Sequence, residues 1–341
     1  MSIILITFDA GVDVDFQTLS TILPKTMLLT LTTFMFILAG TAVVGPFVYP
    51  GLTVIQYMIL GTILGGLSTV AVASIRDQVG REGFQRAWRI MTLESTIVDP
   101  IRVVVAITLI QVAFHGNIQP IETVKDIFFI LLAGSALGLV LGILWSAALH
   151  RLRLTENQYM ITLAILLQVY YLAEYLAGSG GGTIACFIFG FAISNLKMLS
   201  RWLGYVPRID VRRLNEVNRE LSFVLKSYYF VYTGMIVQIT TGYLTAGIAF
   251  TVMIILLRML SGSIVGYNSE FKQSETWLLR LTYPLGTSAL VFATLPLVYD
   301  PEGVVFTDPH LYTNLVFPVV LGTIVFSSLI GPIILRTIQK K

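Results

Sequence analysis

The sequence predicts an all-α, polytopic membrane protein with about ten transmembrane helices, and two observations carry this prediction. Hydrophobic residues make up 55% of the 341 residues and charged residues only 12%, and the mean hydropathy is +0.81. Soluble domains have fewer apolar and more charged residues. The charges also concentrate between apolar runs of about 20 or more residues, each long enough to cross a bilayer as a helix.

The apolar runs give the order of the predicted helices. Helices are favoured over other structures because lipid offers backbone polar groups no hydrogen-bond partners. Residues 1–8 are apolar but too short to span, so we interpret 1–21 as an N-terminal cytoplasmic flank that holds the remnant of a missing helix. The runs lie at 22–48, 52–75, 88–112, 125–149, 158–177, 181–199, 219–239, 244–266, 277–298 and 311–335.

The connections between the runs predict the orientation in the membrane. Lys and Arg concentrate in alternate connections, which is typical of cytoplasmic loops. Both termini, including the tail 337–341, are therefore predicted to be cytoplasmic, and the basic loop 196–220 is predicted to lie against anionic lipid. No basic stripe interleaved with aromatic residues lies elsewhere, so no nucleic-acid partner is expected. The basic stretches are 76–89, 150–153, 196–220, 272–280 and 336–341.

Two groups of three spans are arranged as inverted repeats. Spans one to three (22–112) begin inside and spans eight to ten (244–336) begin outside, while 113–243 supply linking and scaffold helices. The middle span of each group has backbone-breaking residues at mid-depth, which predicts a pair of discontinuous helices. The alternative is that these small residues allow close helix packing. The residues are Gly65, Gly66, Ser68 and Thr69 in the first group and Pro284, Gly286, Thr287 and Ser288 in the second.

The third span carries three ionisable residues in nine positions, Glu94, Asp99 and Arg102. Each costs about 2.5–3.5 kcal/mol at mid-membrane, so such groups persist where they pair or line a wet cavity. Pro100 predicts a local kink that brings the oxygens of Glu94, Ser95 and Asp99 nearer to one another. Such oxygens suit a hard cation. The alternative is a structural ion pair between Asp99 and Arg102 at i and i+3.

Two other spans carry buried charges of opposite sign. Arg258 lies deep in span eight and Glu174 deep in span five. Both need partners within the protein. One polar centre that joins spans three, five and eight would supply them.

Several segments of the chain resemble successive blocks of the cation:proton antiporter superfamily. The Glu-Ser-x-x-x-Asp-Pro block at 94–100 is similar to that of the sodium:proton exchangers, whereas the Ser-Thr pair at 68–69 is more similar to the potassium-efflux and bacterial antiporter branch. The resemblance covers nearly the whole chain. Its segments are 8–15, 60–75, 93–100, 170–195, 228–235 and the span that contains Arg258.

The resemblance implies a secondary antiporter that exchanges a monovalent cation, Na⁺ before K⁺, for H⁺ by alternating access. It implies that Asp99 alternates between a proton and the cation, with Glu94 and Ser95 beside it as further ligands. Ser68 and Thr69 would face Asp99 from the broken helix. No coenzyme or catalytic metal is implied.

The resemblance also implies a role for the other buried charges and an assembly. Arg258 is similar to the basic residue that anchors the core of the family, and its implied partner here is Glu94 or Glu174. From the spacing alone, and not from the resemblance, Arg102 adds a positive charge one turn from Asp99, which is expected to weaken cation binding. A homodimer in the plasma membrane is implied, with Na⁺ or K⁺, H⁺ and membrane lipid as its partners.

The chain departs from the family pattern in ways that keep other functions open. Val98 replaces the Asn or Asp before the binding Asp, Thr69 replaces the exchangers' Asp, and Leu285 replaces their Arg in span nine. The family also has further helices before residue 1. The alternatives are a truncated, non-transporting fragment or subunit of an antiporter, or a cation channel without proton coupling. A membrane protease is disfavoured because HExxH and GxGD motifs are absent.

Overall fold

The computed structural model describes residues 2–14, 16–80, 83–116, 120–152, 158–195, 211–267, 271–306, 308 and 310–339, and the regular structure in these ranges is helical. Most of the basic loop 196–220, with its predicted lipid contact, and the end of the predicted tail lie outside the described residues. The helices are α1 (Ser2–Val12), α2 (Phe16–Val48), α3 (Val54–Leu64), α4 (Thr69–Val79), α5 (Gln85–His115), α6 (Pro120–Leu152), α7 (Gln158–Ala177), α8 (Gly181–Ser194), α9 (Val211–Ile236), α10 (Thr241–Tyr267), α11 (Gln273–Leu281), α12 (Thr287–Ala293), α13 (Leu295–Tyr299), α14 (Leu311–Val325), a π-helical turn (Phe326–Ile330) and α15 (Gly331–Gln339).

Several of these helices are long and apolar enough to cross a membrane. Within the described residues there are 6 such helices, or up to 7 when the bent pair α3 and α4 is taken as one span. Shorter apolar helices are present at α1, at α8 and at α12 with α13. The all-α, multi-pass fold class is confirmed, while the count of about ten spans and the two inverted repeats stay predictions that this architecture allows.

The chain forms two compact units. The first comprises residues 1–20, 103–108 and 117–228, and the second comprises residues 21–102, 109–116 and 229–341. Both predicted repeats fall almost wholly within the second unit. The predicted division into two repeats and a linking region stays a prediction.

The first unit is built around α8, which packs closely against α1 and α6. Gly138 of α6 lies so close to α8 that a Cβ there would meet the carbonyl of Ala185. Gly11 of α1 lies equally close to the carbonyl of Phe187. Small residues allow such close approach, which stabilises helix pairs in lipid. The apolar core consists of Ile4, Phe8, Val12, Leu166, Val169, Ala173, Ala185, Cys186, Phe189 and Ile193.

The second unit contains two broken helices at the predicted positions. The first break lies between α3, which ends at Leu64, and α4, which begins at Thr69, and the two helices are bent by 45°. The second lies between α11, which ends at Leu281, and α12, which begins at Thr287. Gly residues occupy the first break, and Pro284, which has no N–H to donate, lies in the second. The prediction of two discontinuous helices is therefore confirmed.

Candidate ion-binding site

The two breaks contact each other directly through their backbones. The N–H of Ser68 donates to the carbonyl of Pro284 at 2.9 Å. Gly286 lies against the side chain of Ser68, and a Cβ at Gly286 would overlap its hydroxyl. We call the point where residues 65–68 meet residues 282–286 the crossing. Because broken helices leave N–H and C=O groups without helical partners, the crossing places polar backbone groups inside the second unit.

Asp99 of α5 forms an ion pair with Arg102 beside this crossing. Nε and Nη2 of Arg102 both bind Oδ1 of Asp99, at 3.0 and 2.6 Å. The side chain of Asp99 is 10% exposed and that of Arg102 is 1% exposed. The ion pair that the i and i+3 spacing predicts is therefore present, and both of its bonds fall on one carboxylate oxygen.

The guanidinium of Arg102 also binds both broken helices. Nη1 donates to the carbonyl of Ile63 in the last turn of α3 at 2.9 Å, and Nη2 donates to Oγ of Ser288 in the first turn of α12 at 2.6 Å. Its Cζ lies 4.4 Å from the centre of the Phe292 ring. A Cβ at Gly66 would overlap the guanidinium, so glycine is required for this approach. Arg102 thus joins α5, α3 and α12.

Glu94, one and a half turns earlier on α5, binds a different arginine. Nη1 and Nη2 of Arg258 donate to Oε1 and Oε2 of Glu94 at 2.5 and 2.8 Å, which makes a bidentate pair. The side chain of Arg258 is fully buried and that of Glu94 is 2% exposed. Of the two partners that the resemblance implies for Arg258, the structure shows Glu94.

Arg258 is held by further contacts from two other helices and from the second break. Nε donates to the carbonyl of Leu279 in α11 at 2.8 Å, and Nη1 donates to Oγ1 of Thr33 in α2 at 3.1 Å. Thr33 in turn donates to Oγ of Ser261 at 2.8 Å. The guanidinium also lies 5.1 Å from the centre of the Tyr283 ring. The pair therefore ties α2, α5, α10 and α11 together.

Glu174 has partners of its own in the first unit. Its Oε1 accepts from the N–H of Gly180 at 2.9 Å, and its Oε2 accepts from the N–H of Gly182 at 3.0 Å. These N–H groups belong to the N-terminus of α8, where a carboxylate is favoured by the helix dipole. The sequence interpretation assigns Glu174 and Arg258 to one polar centre. In the structure the partners of Glu174 are instead these two glycine N–H groups.

The remaining predicted ligands have local partners or are exposed. The sequence predicts a kink at Pro100 that brings Glu94 and Asp99 together, but α5 continues through Pro100 without a break. Glu94 and Asp99 bind different arginines. Oγ of Ser95 donates to the carbonyl of Thr92 at 2.8 Å. Thr69, the first residue of α4, has an exposed side chain.

Sequence reasoning missed several residues that hold the two arginines in place. Thr33 and the carbonyl of Leu279 on Arg258, and the carbonyl of Ile63 and the ring of Phe292 on Arg102, are contacts between elements distant in sequence. One sequence feature indicates the Ser288 contact with Arg102. Ser288 follows the second predicted break, where a hydroxyl is able to bind a buried charge.

Buried carboxylates and arginines beside crossed, discontinuous helices are typical of secondary transporters in membranes. The family described as sodium/hydrogen exchanger, transmembrane, matches residues 1–341. The chain therefore belongs to this family of monovalent cation:proton antiporters. The family is one of transporters and not of enzymes.

The chain is similar to antiporters with known names and structures. A curated relative, the K(+)/H(+) antiporter NhaP of Alkalimonas amylolytica, is 24% identical over 280 residues, which cover 81% of this chain and 46% of that protein. The chain thus spans about half the length of that relative. Two structures of the sodium proton antiporter MjNhaP1 from Methanocaldococcus jannaschii, one determined at pH 8 and one from an electron-microscopy map, share the fold. Their TM-scores are 0.75 and 0.70 at 16% identity, and the match covers 97% and 99% of this chain and 81% of that chain in each case.

Proposed function

We propose that the protein exchanges a monovalent cation for H⁺ by alternating access, with Asp99 as the carboxylate that binds either ion. The observation that carries this proposal is that the ion-pair partner of Asp99, Arg102, binds both broken helices, through Ile63 and Ser288. The side chain of Asp99 is 10% exposed, and both guanidinium bonds of Arg102 fall on a single oxygen. Asp99 is thus a buried carboxylate beside irregular backbone, which is where transporters place their ion sites.

Exchange follows from competition for one carboxylate. A proton and a cation neutralise the same negative charge, so the uptake of one accompanies the release of the other. A neutralised carboxylate also crosses the low-dielectric interior at far lower cost than a charged one. Glu94 does not take part in this exchange, because both of its oxygens bind Arg258.

The cation in this proposal is Na⁺ before K⁺, and its further ligands are oxygens near Asp99. Ser95 on the same helix, and Ser68 and Thr69 at the first break, are the proposed sources. The Glu-Ser-x-x-x-Asp-Pro spacing supports Na⁺, and the curated relative is named as a K⁺/H⁺ antiporter. A test of both ions is therefore part of the experiment below.

The proposed setting is the plasma membrane, with both termini in the cytoplasm and two copies of the chain forming a homodimer. The orientation is supported by the Lys and Arg residues of the alternate connections, which favour the cytoplasmic side. A second candidate function is a non-transporting fragment or subunit of an antiporter. It remains an alternative that the reconstitution experiment below separates from antiport.

Reconstituted protein tests this proposal. Proteoliposomes with an acidic interior and a pH-sensitive dye receive Na⁺, K⁺ or Li⁺ outside, and we expect dequenching with Na⁺ at the lowest concentration. The matched variant Asp99→Asn keeps the side-chain shape but removes the exchanging charge, so it is expected to lose exchange while remaining folded. Exchange that persists in purified Asp99→Asn would rule out Asp99 as the carrier.

Two further outcomes separate the alternatives. Wild-type protein that dequenches with none of the three cations supports the non-transporting fragment. A cation current whose reversal potential ignores the pH gradient supports a channel, since coupled exchange responds to that gradient. Both outcomes contradict the proposed antiport.

A further inference from the structure

We infer that Arg102 is a resident counter-ion of Asp99 that the transported cation has to displace, so that Arg102 sets the affinity of the site. This inference rests on the proposed function and concerns the same carboxylate. Its basis is the arrangement of the guanidinium, which differs from that of the other buried arginine.

The guanidinium occupies the position on Asp99 that a cation needs. Nε and Nη2 lie 3.0 and 2.6 Å from Oδ1 of Asp99, which places a full positive charge within hydrogen-bond distance of the carboxylate. A monovalent cation that binds Asp99 meets attraction from the carboxylate and repulsion from Arg102 at a similar distance. The cation therefore binds Asp99 tightly only when Arg102 moves away from Oδ1.

Arg102 has partners that remain when its bonds to Asp99 are broken. Nη1 binds the carbonyl of Ile63 at the C-terminal end of α3, which carries a partial negative charge, and the ring of Phe292 lies 4.4 Å from Cζ. A small movement of the guanidinium toward these two groups therefore does not leave it as an unpaired buried charge. Displacement is a local step, because the competing charge stays tethered to α5.

Ser288 holds the guanidinium in the competing position. The nitrogen that binds Ser288 Oγ at 2.6 Å is Nη2, which also binds Oδ1 of Asp99 at 2.6 Å. Ser288 thus fixes the shared nitrogen beside the carboxylate, while Ile63 and Phe292 hold the rest of the group. Loss of the Ser288 hydroxyl weakens Arg102 as a competitor without removing its charge.

The experiment compares exchange by the full chain in proteoliposomes for wild type, Arg102→Gln and Arg102→Lys. In Arg102→Gln we expect the KM for Na⁺ to fall about tenfold or more, because a full positive charge within hydrogen-bond distance of the carboxylate is lost. The KM for K⁺ is expected to fall by a similar factor, because both cations displace the same guanidinium. Arg102→Lys keeps the positive charge but loses the planar fork, so its KM values are expected to lie between those of wild type and those of Arg102→Gln.

Two more variants complete the test. Ser288→Ala is expected to lower the KM for Na⁺ by about threefold, because one hydrogen bond that fixes the competitor is lost. If Arg102→Gln does not fold, the KM for Na⁺ of Ser288→Ala alone tests the inference. Arg76→Gln removes the same charge from an ion pair with Asp77 at the end of α4, and it is expected to keep wild-type values.

The outcomes separate this inference from the proposed function. A wild-type protein that exchanges no cation for H⁺ overturns the proposed function and with it this inference. A wild-type protein that exchanges, with unchanged KM values for both cations in Arg102→Gln, overturns the inference alone. Where Arg102→Gln does not fold, an unchanged KM in Ser288→Ala has the same meaning.

Discussion

Two arginine–carboxylate pairs lie on the same helix and differ in how they are built. Arg258 reaches Glu94 from another helix and engages both of its oxygens, at 2.5 and 2.8 Å. Arg102 comes from three residues along α5 and places both of its bonds on one oxygen of Asp99. The first pair joins two helices, whereas the second lies within one helix, and we propose that only the second takes part in ion exchange.

Two other carboxylates in the described residues, one half-buried and one buried, also accept hydrogen bonds on both of their oxygens. Glu174 accepts from the N–H groups of Gly180 and Gly182. Asp300, which follows α13, accepts from the N–H of Val304 at 2.9 Å and from those of Val305 and Phe306 at 2.7 Å. We therefore expect changes at these carboxylates to affect stability, and changes at Asp99 to affect transport.

The largest effect on stability is expected from Arg258→Ala. The substitution leaves Glu94 as a buried charge without its partner. Breaking a buried ion pair in this way lowers the free energy of unfolding by about 3–5 kcal/mol. Thermal unfolding of the purified protein in detergent measures this loss, with Arg76→Ala at an exposed ion pair as the control. An unchanged melting temperature would show that the bidentate pair does not stabilise the fold. The proposed difference between Glu94 and Asp99 would then be wrong.

A smaller effect is expected from Glu174→Gln. An amide oxygen accepts from one of the two glycine N–H groups, but the amide nitrogen cannot accept from the other, so about 1–3 kcal/mol of stability is lost. The number of protons exchanged per cation is expected to stay the same. A lower proton count in Glu174→Gln proteoliposomes would assign Glu174 a part in exchange.

The smallest effect is expected at Asp300, outside the membrane spans. Burial tends to raise the pKa of Asp300, but hydrogen bonds from the N–H groups of Phe306, Val305 and Val304 outweigh it and lower this pKa below its ordinary value. The carboxylate therefore stabilises the loop at pH values above its unfolded pKa, near 4, and this contribution is lost as the pH falls through the lower folded pKa.

Amide hydrogen exchange of residues 304–306 between pH 3 and 6 tests this prediction. Wild-type protein is expected to lose protection in the loop toward the acidic end, after correction for intrinsic exchange rates. Asp300→Asn is expected to show weaker protection with no such pH dependence. Equal pH dependence in both proteins would show that Asp300 does not hold the loop.

Much of the fold could be predicted because its signals are local. The run at 158–177 coincides with α7, and glycines and a proline in the sequence indicate both helix breaks. Hydropathy did not predict the first residue of a helix whose first turns are not apolar. The helix α9 begins at Val211, eight residues before the predicted run, because its first turns are polar and charged.

The candidate site could be predicted only in part, because its partners come from distant segments. The spacing of Asp99 and Arg102 predicts their ion pair, which depends on one helix alone. The partner of Arg258 is 164 residues away, and two carboxylates satisfied the sequence argument equally. The partners of Glu174 depend on how the chain turns between α7 and α8, which no periodicity reports.

The most direct test of the central claim is the voltage dependence of exchange. If Asp99 alone trades one H⁺ for one monovalent cation, while Glu94 and Glu174 keep their partners, no net charge moves in a cycle. Proteoliposomes are clamped at about 0 or about −100 mV with potassium and valinomycin, with Na⁺ as the test cation and Asp99→Asn as the control. One net charge per cycle would be driven by about 2.3 kcal/mol at that voltage, which changes the equilibrium ion ratio nearly fiftyfold. The account predicts the same equilibrium Na⁺ distribution at both potentials, and a distribution that moves with voltage would contradict it by bringing a second carboxylate into the proton cycle.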